Sequence, residues 1–292
     1  MDVIRFDTAD FPERLELVAT PGAAHPGWLR TQERPVDLSR VTGVYRRSPA
    51  VFGFADGMSP PERRFALMEA VQGLGGVLAT LRCRWMNHPS RVADASYKPM
   101  QLRTAQDSGL RVPRTLVTNV GSAARMFIEE LDGAAIYKPM SPGVLSEQGK
   151  IRVINASIVD HDMVDDSTIM RTAHTFQQYI DKSHDARVTV VGDQLFGVAI
   201  HAENDVARID WRADYDALRY ELSDVPVDVR SGILEYMERL DLLFAAFDFS
   251  VGKDGLWWFL EANANGLWAW LQERLNIQIA DAVADVMARE GN

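Results

Sequence analysis

The sequence predicts a mixed α/β (α+β) chain, and three observations carry that expectation. The first part alternates strand-like runs with one long helical pattern. The C-terminal part holds two alternating hairpin patterns, DARVTVVGDQLFGVAIHA around Gly192-Asp193 and FDFSVGKDGLWWFLEANANG around Lys253-Asp254-Gly255. No GxGxxG follows a first strand and no GxxxxGK(S/T) occurs, so neither a dinucleotide fingerprint nor a P-loop is present.

Taken in order, VIRFD, LELVAT and VTGVYRR read as strands. SPPERRFALMEAVQGLGGVLATL reads as a helix capped by Ser59, with Pro60 and Pro61 in its first turn. It ends near the Gly75-Gly76 pair or continues past it. WMNHP is a loop with a proline stop, and residues 90–109 carry one helix whose inner face is Tyr97, Met100, Leu102 and Ala105. VPRTLVTN is a short strand, Ser122 caps the helix SAARMFIEEL, GAAIYKPM is an apolar strand, and SPGVLSEQGK is a loop. HTFQQYID reads as strand or linker, residues 228–246 as a helix, and IQIADAVADVMARE as a helical tail.

Length and charge bound the function. With 292 residues, 47% hydrophobic and 25% charged, the chain is long enough for two or three lobes. A net charge of −10 argues against a nucleic-acid partner. The lone cysteine, Cys83, cannot form an intrachain disulfide and reads as a packing residue. The start has no basic region before an apolar core and no apolar run approaches about 18 residues, so no signal peptide and no membrane partner are expected, and the expected compartment is the cytoplasm.

Three constellations could carry chemistry. In FLEANANGLWAWL, Glu261 and Asn263 stand two apart on a strand and share a face. Asp248, on the preceding strand of the same hairpin, can join them, and two carboxylates with an amide oxygen suit Mg²⁺. Glu261 lies among large apolar residues, where an unpaired carboxylate is costly. Lys98, in ASYKPMQL, and Lys138, ending AAIYKP, can neutralise phosphate. Gln178, Tyr179 and Ile180 can form a hinge that reads an adenine edge, and Arg187 opens an alternating strand as a candidate anion site.

In this order, Lys98, Lys138, QQYI, DARVTVVGD, Asp248 and EAN resemble the ATP-grasp ligases, and more closely the graspetide synthetases, which make microviridin-like cross-links in ribosomal peptides. WMNHP, YKPMQL, GLRVPRTLVTN, IDWR and WWFLEANANGLWAWL share in the resemblance, which runs from about residue 41 to about residue 271. It implies an ATP-grasp fold with a truncated N-terminal Rossmann-like (pre-ATP-grasp) lobe at 1–90, a central lobe at 91–180 and a C-terminal antiparallel-sheet lobe at 181–292. The first strand–helix unit of relatives is expected to be missing. ATP and Mg²⁺ are the implied cofactors: Lys98, Lys138 and the Gln178–Ile180 hinge for the nucleotide, Asp248, Glu261 and Asn263 for the metal. Arg187 would meet the transferred phosphoryl group and Arg212, in IDWR, the acceptor carboxylate. The implied partner is a ribosomally made precursor peptide with a leader and a Thr- and Asp/Glu-rich core, acted on by a homodimer or larger homo-oligomer. Gln178 departs from the Glu that many relatives carry, and Ala262 and Ala264 replace bulkier or proline residues. A ligase adding an amino acid to a protein or small acid, and a non-catalytic ATP-grasp module, are the alternatives. His201, Glu203 and Asp210 are candidates for the general base by sequence proximity, and Arg208 for added positive charge.

Overall fold

The computed structural model describes residues 2–131, 133–141, 143–147 and 150–289. Pro142, Gln148 and Gly149 of the expected loop and Glu290 of the expected tail helix lie outside the described residues.

Residues 2–7 form no strand, contrary to the reading of VIRFD. Asp7 is the reason: its Oδ1 accepts from the amides of Ala9 at 3.0 Å and Ala50 at 3.1 Å, which starts a short 3-10 turn at Thr8–Asp10. Strands β1 (Glu16–Ala19), β2 (Gly27–Arg30) and β3 (Pro35–Asp37) make an antiparallel sheet, closed over Leu15, Leu29, Leu38 and Leu74. Strand β4 (Gly43–Val44) pairs in parallel with β5 (Arg84–Trp85). Between them α1 (Pro60–Ala70), opened by a Ser59–Glu62 capping box, runs through a π-turn at Val71–Gly75 into α2 (Gly76–Ala79). The helix therefore passes the glycine pair.

The expected single helix at 90–109 is two, α3 (Pro89–Ala95) and α4 (Lys98–Asp107). Pro89 opens α3 in its first turn instead of stopping the chain. Pro99 breaks the run, because its ring in a helix interior would meet the carbonyl of Ala95 four residues back. That carbonyl accepts instead from Gln101 Nε2 at 2.6 Å. The restart turns Gln101 and Ala105 inward and packs Leu102 against the core, so Ala105 and Leu102 of the expected inner face lie as expected, while Tyr97 is 67% exposed and Met100 is also outside.

Next come β6 (Thr115–Thr118), α5 (Gly121–Glu129), β7 (Ala135–Lys138), β8 (Val144–Glu147), β9 (Lys150–Val153), β10 (Ser157–Val159), α6 (Asp166–Ile169) and β11 (His174–Gln178). Four of these strands form a sheet ordered β10-β7-β11-β6. The expected loop at 141–150 instead contributes to the β8–β9 hairpin. Helix α5 starts at Gly121 without a side-chain cap, so Ser122 lies inside it. Asp166 crowds Gly121: a Cβ there would lie 1.7 Å from Asp166 Oδ1.

The largest sheet is antiparallel, ordered β14-β13-β12-β15-β16, from β12 (Lys182–Val191), β13 (Gln194–Ala202), β14 (Leu218–Leu222), β15 (Phe244–Gly252) and β16 (Trp257–Asn263). Helices α7 (Asp205–Ile209), α8 (Val227–Arg239), α9 (Ala269–Leu275) and α10 (Ile279–Ala288) complete the chain. Helix α8 ends at Arg239, well before residue 246. The apolar run after it fits either state by periodicity, and burial decides for strand: every residue of β15 is buried. One face of this sheet packs Val188, Val190, Phe247, Phe249 and Phe259 against Ile233, Tyr236 and Met237 of α8. The other face carries the polar side chains described next.

Asn87, 7% exposed in the WMNHP segment, ties the ends of β15 and β16 together. Its Nδ2 donates to the carbonyls of Phe244 at 2.7 Å and Ala264 at 2.8 Å, and its Oδ1 accepts from Leu243 N at 2.9 Å. Asn87→Ala leaves buried backbone groups unpaired, at about 1–3 kcal/mol each. It is expected to lower the urea midpoint of unfolding with little change in slope.

Candidate active site

Two strand irregularities create the site. Asp248 on β15 pairs with Glu261 on β16, but the next pair is Phe249 with Phe259, so Leu260 is an extra residue in a bulge. In a regular strand Phe259 and Glu261 would share a face. The bulge sends Phe259 into the core and turns Glu261 toward Asp248. Asn263, two residues on, stays with Glu261: its Nδ2 lies 3.2 Å from Glu261 Oε1 and 3.3 Å from Asp248 Oδ2. A second shift, between Lys182 and His184 on β12, brings Lys182 and Asp185 to one side, with Nζ 2.8 Å from Oδ1. Positions three apart on a regular strand face opposite ways, which is why this buried pair escaped the sequence reading.

Cations fill the space around the carboxylates. Arg187 stands directly across from Asp248 on the neighbouring strand, and its Nη1 lies 2.9 and 3.2 Å from the two carboxylate oxygens. Its Nη2 donates to the Leu267 carbonyl at 3.3 Å. Arg212 stacks on Trp211 at 4.4 Å and reaches both acids, 2.5 Å from Asp248 Oδ2 and 2.7 Å from Glu261 Oε1. Lys98, the first residue of α4, bonds Glu261 Oε2. Helix α4 is held against β16 by Gln101, which donates to the Ala262 carbonyl at 2.9 Å and accepts from its amide at 3.2 Å. Gln101 is a positioning residue that its mid-helix place did not advertise.

Beside this cluster lies a narrow cleft whose walls include Ile136, Lys138, Gln178, Tyr179, Ile180 and Leu260. Lys138 donates to Gln177 Oε1 at 2.9 Å. The structure thus gathers Lys138, Gln178, Tyr179 and Ile180 in the cleft and Lys98, Arg187, Arg212, Asp248, Glu261 and Asn263 in the charge cluster next to it. Asp210 joins the edge, 3.8 Å from Arg212 Nη1. His201 does not: it bonds Glu221 at 2.6 Å and alternates to the opposite face from Ile200, the partner of Asp185. Glu203 and Arg208 are exposed. Burial pushes the Cys83 thiol up, away from a thiolate role.

The charges set one another. Burial opposes ionisation of Glu261, but Arg212 and then Lys98 outweigh it and hold the carboxyl well below its usual range. Burial pushes Asp248 up, against the pull of Arg187 and Arg212, and the neighbouring Glu261 charge adds to the rise. Both carboxylates keep Arg212 firmly protonated despite its burial. Burial, then the charge of Lys182, lowers Lys138 to about 8.

Among the described residues no group of three His, Cys, Asp or Glu side chains is placed to hold a metal. The Asp248–Glu261–Asn263 set offers two carboxylates and one amide, which fits Mg²⁺, an ion that keeps waters and shares phosphate oxygens instead of demanding a full protein cage. For Asn263 to take part, its amide turns to present Oδ1 in place of Nδ2.

Comparison with known proteins bears on the fold of the chain. The family described as the MvdD pre-ATP grasp domain matches residues 1–93. No curated protein matches the chain significantly. Among solved structures, the macrocyclase MdnC bound with precursor peptide MdnA, from Microcystis aeruginosa MRC, is 26% identical with a TM-score of 0.87, covering 97% of this chain and 90% of that one. A Chryseobacterium gregarium RiPP-associated ATP-grasp ligase, in complex with ADP and a leader and core peptide, is 25% identical with a TM-score of 0.91, covering 99% and 90%. The ATP-grasp ligase PsnB, complexed with minimal precursor, is 25% identical with a TM-score of 0.78, covering 97% and 88%.

Two outcomes follow from the geometry. The folded protein holds Glu261 below its ordinary value, so its contribution to stability is present above about pH 4.3 and is lost as the pH falls toward the folded value. Glu261→Gln is therefore expected to show a smaller drop in Tm between about pH 5 and pH 3 than the parent protein. A Cβ on Gly266 would lie 2.5 Å from Ala246 Cβ and 3.0 Å from Arg187 Nη2. Gly266→Ala is expected to lower Tm by several degrees, read by calorimetry.

Proposed function

We infer that this chain, which has the ATP-grasp fold of ribosomal-peptide ligases along its length, is an ADP-forming ligase that closes rings in a precursor peptide. It activates Asp or Glu side-chain carboxylates as acyl phosphates and joins them to Thr or Ser hydroxyls, or to Lys amines, as esters or amides. The observation that carries this reading is the convergence of Asp248 and Glu261 with three cations beside a lysine-bearing cleft. Whole-length likeness to a macrocyclase bound with its precursor peptide and to a peptide-bound RiPP-associated ATP-grasp ligase supports it.

The roles follow from the chemistry of the reaction. A carboxylate is a poor electrophile and its acyl phosphate a good one, so the protein must align carboxylate with γ-phosphate and offset the charge that gathers there. Gln178, Tyr179 and Ile180 hold the adenine end, and Lys138 and Lys98 meet the phosphates. Asp248, Glu261 and Asn263 hold Mg²⁺, which when bound offsets phosphate charge. Arg187 orients the transferred phosphoryl group and Arg212 the acceptor carboxylate. An acidic peptide approaching a chain of net charge −10 needs such a local positive site. We divide the chain into a pre-ATP-grasp lobe at 1–90, a central lobe at 91–180 and a C-terminal lobe at 181–292. No helix among the described residues is long and apolar enough to cross a membrane. We assign the activity to the cytoplasm, where ATP and nascent peptides meet, and to a homodimer or larger homo-oligomer.

The test is incubation with ATP, Mg²⁺ and the peptide encoded beside the gene, followed by mass spectrometry. Loss of one water per cross-link is expected, and an unchanged peptide mass would refute the reading. Glu261→Ala is expected to abolish turnover while the circular dichroism spectrum stays native. Arg212→Ala is expected to slow ring formation roughly 10²-fold or more, in the range of lost charge stabilisation, with a much smaller effect on ATP affinity. Equal losses in both would contradict the acceptor role.

A further inference from the structure

A row of three side chains crosses the cleft face of the four-stranded sheet. On β11, Gln177 pairs directly with Thr115 of β6 on one side and with Ile136 of β7 on the other. Lys138, two residues beyond Ile136, lies on the same face. Gln177 is 3% exposed, and its two amide atoms are both used: Oε1 accepts from Lys138 Nζ at 2.9 Å, and Nε2 donates to Thr115 Oγ1 at 2.9 Å. Thr115 in turn donates its hydroxyl proton to the Pro113 carbonyl at 2.8 Å.

The direction of every bond in this row is forced. An ammonium only donates, so it must face the amide oxygen. The Thr115 proton is committed to Pro113, so its oxygen must accept from the amide nitrogen. The row has one consistent arrangement, and it presents a neutral acceptor, never a carboxylate, to the lysine. The charged groups that act on Lys138 from packed elements are Lys182 and Asp185 of β12, Glu261 of β16, and Asp210 beyond α7. None of the three acids makes a hydrogen bond or ion pair with its ammonium, whose bond is to Gln177.

We propose that Gln177, oriented by Thr115, is a positioning residue that aims Lys138 into the cleft while leaving its charge uncompensated, so that an anionic nucleotide supplies the missing partner. The proposal rests on the nucleotide reading of the cleft and deepens it. A carboxylate at position 177 would capture the lysine and repel phosphate. An apolar residue would leave it unaimed. Because no acid among the described residues pairs with the ammonium, burial and then the charge of Lys182 lower its pKa to about 8. Phosphate then raises it, and binding takes up a proton at alkaline pH.

The experiment is calorimetric titration of the full chain with Mg-ATP in two buffers of different ionisation enthalpy. With the Lys138 pKa lowered in the free chain, net proton uptake is expected at pH 8.5 and much less at pH 7. Gln177→Glu is expected to abolish the uptake at pH 8.5 and weaken binding at least about tenfold. Thr115→Val, close in volume and unchanged in charge, is expected to weaken binding a few-fold while Tm stays within a few degrees. Absence of proton uptake by the parent protein at pH 8.5 overturns the proposal, as does Thr115→Val binding with parent affinity. Parent-like uptake in Gln177→Glu does so too. If the parent protein binds no Mg-ATP at all, the nucleotide reading itself falls, which separates that failure from one confined to Gln177.

Discussion

Two carboxylates facing each other across adjacent buried strands are the constraint around which the C-terminal half is arranged. Asp248 is 2% exposed and Glu261 stands opposite it in register. Unit charges about 4 Å apart repel by about 4 kcal/mol at an effective dielectric of 20, and burial adds a desolvation penalty to each. The fold answers with cations from separate elements: Arg187 from β12, Arg212 from the turn after α7, and Lys98 from the start of α4. Charge balance thus ties three distant stretches of chain to one point.

That balance explains features that look incidental. The break between α3 and α4 places Lys98 at a helix start, and Gln101 then fixes the helix against β16 through the Ala262 backbone. Gly266 leaves room for Arg187, whose Nη2 also meets the Leu267 carbonyl. The tryptophans after Gly266 divide their work. Trp268 is buried and donates to the Tyr45 hydroxyl at 2.9 Å, which ties this segment to the N-terminal part of the chain. Trp270 stacks near Trp211, the residue that carries Arg212 on its face.

The lysines show how environment separates like residues. Lys98 meets Glu261, and Lys182 meets Asp185. Lys138 alone of these three faces a neutral amide, so its charge is the least compensated. A site for a polyanion needs a cation of that kind near others already neutralised, since a fully paired surface has little left to offer a phosphate.

Alone, the sequence determined the mixed class, both late hairpins with their turns, and the candidate side chains, because strand alternation, turn residues and a carboxylate in an apolar run are local signals. Glu261 and Asn263 share a side as their spacing required. Tertiary structure decided the rest. The bulge at Leu260 gives Glu261 its side of the sheet, and the shift near Ser183 brings Lys182 to Asp185. Pro99 splits a helix whose apolar pattern ran on, and β15 begins where helical periodicity continued. Asp7 pins a segment that alternates like a strand. Apart from Pro99, whose clash is local, a contact from far along the chain or one extra residue in a strand outweighed a local preference worth at most about 1 kcal/mol per residue. Such contacts leave no periodic trace in the sequence.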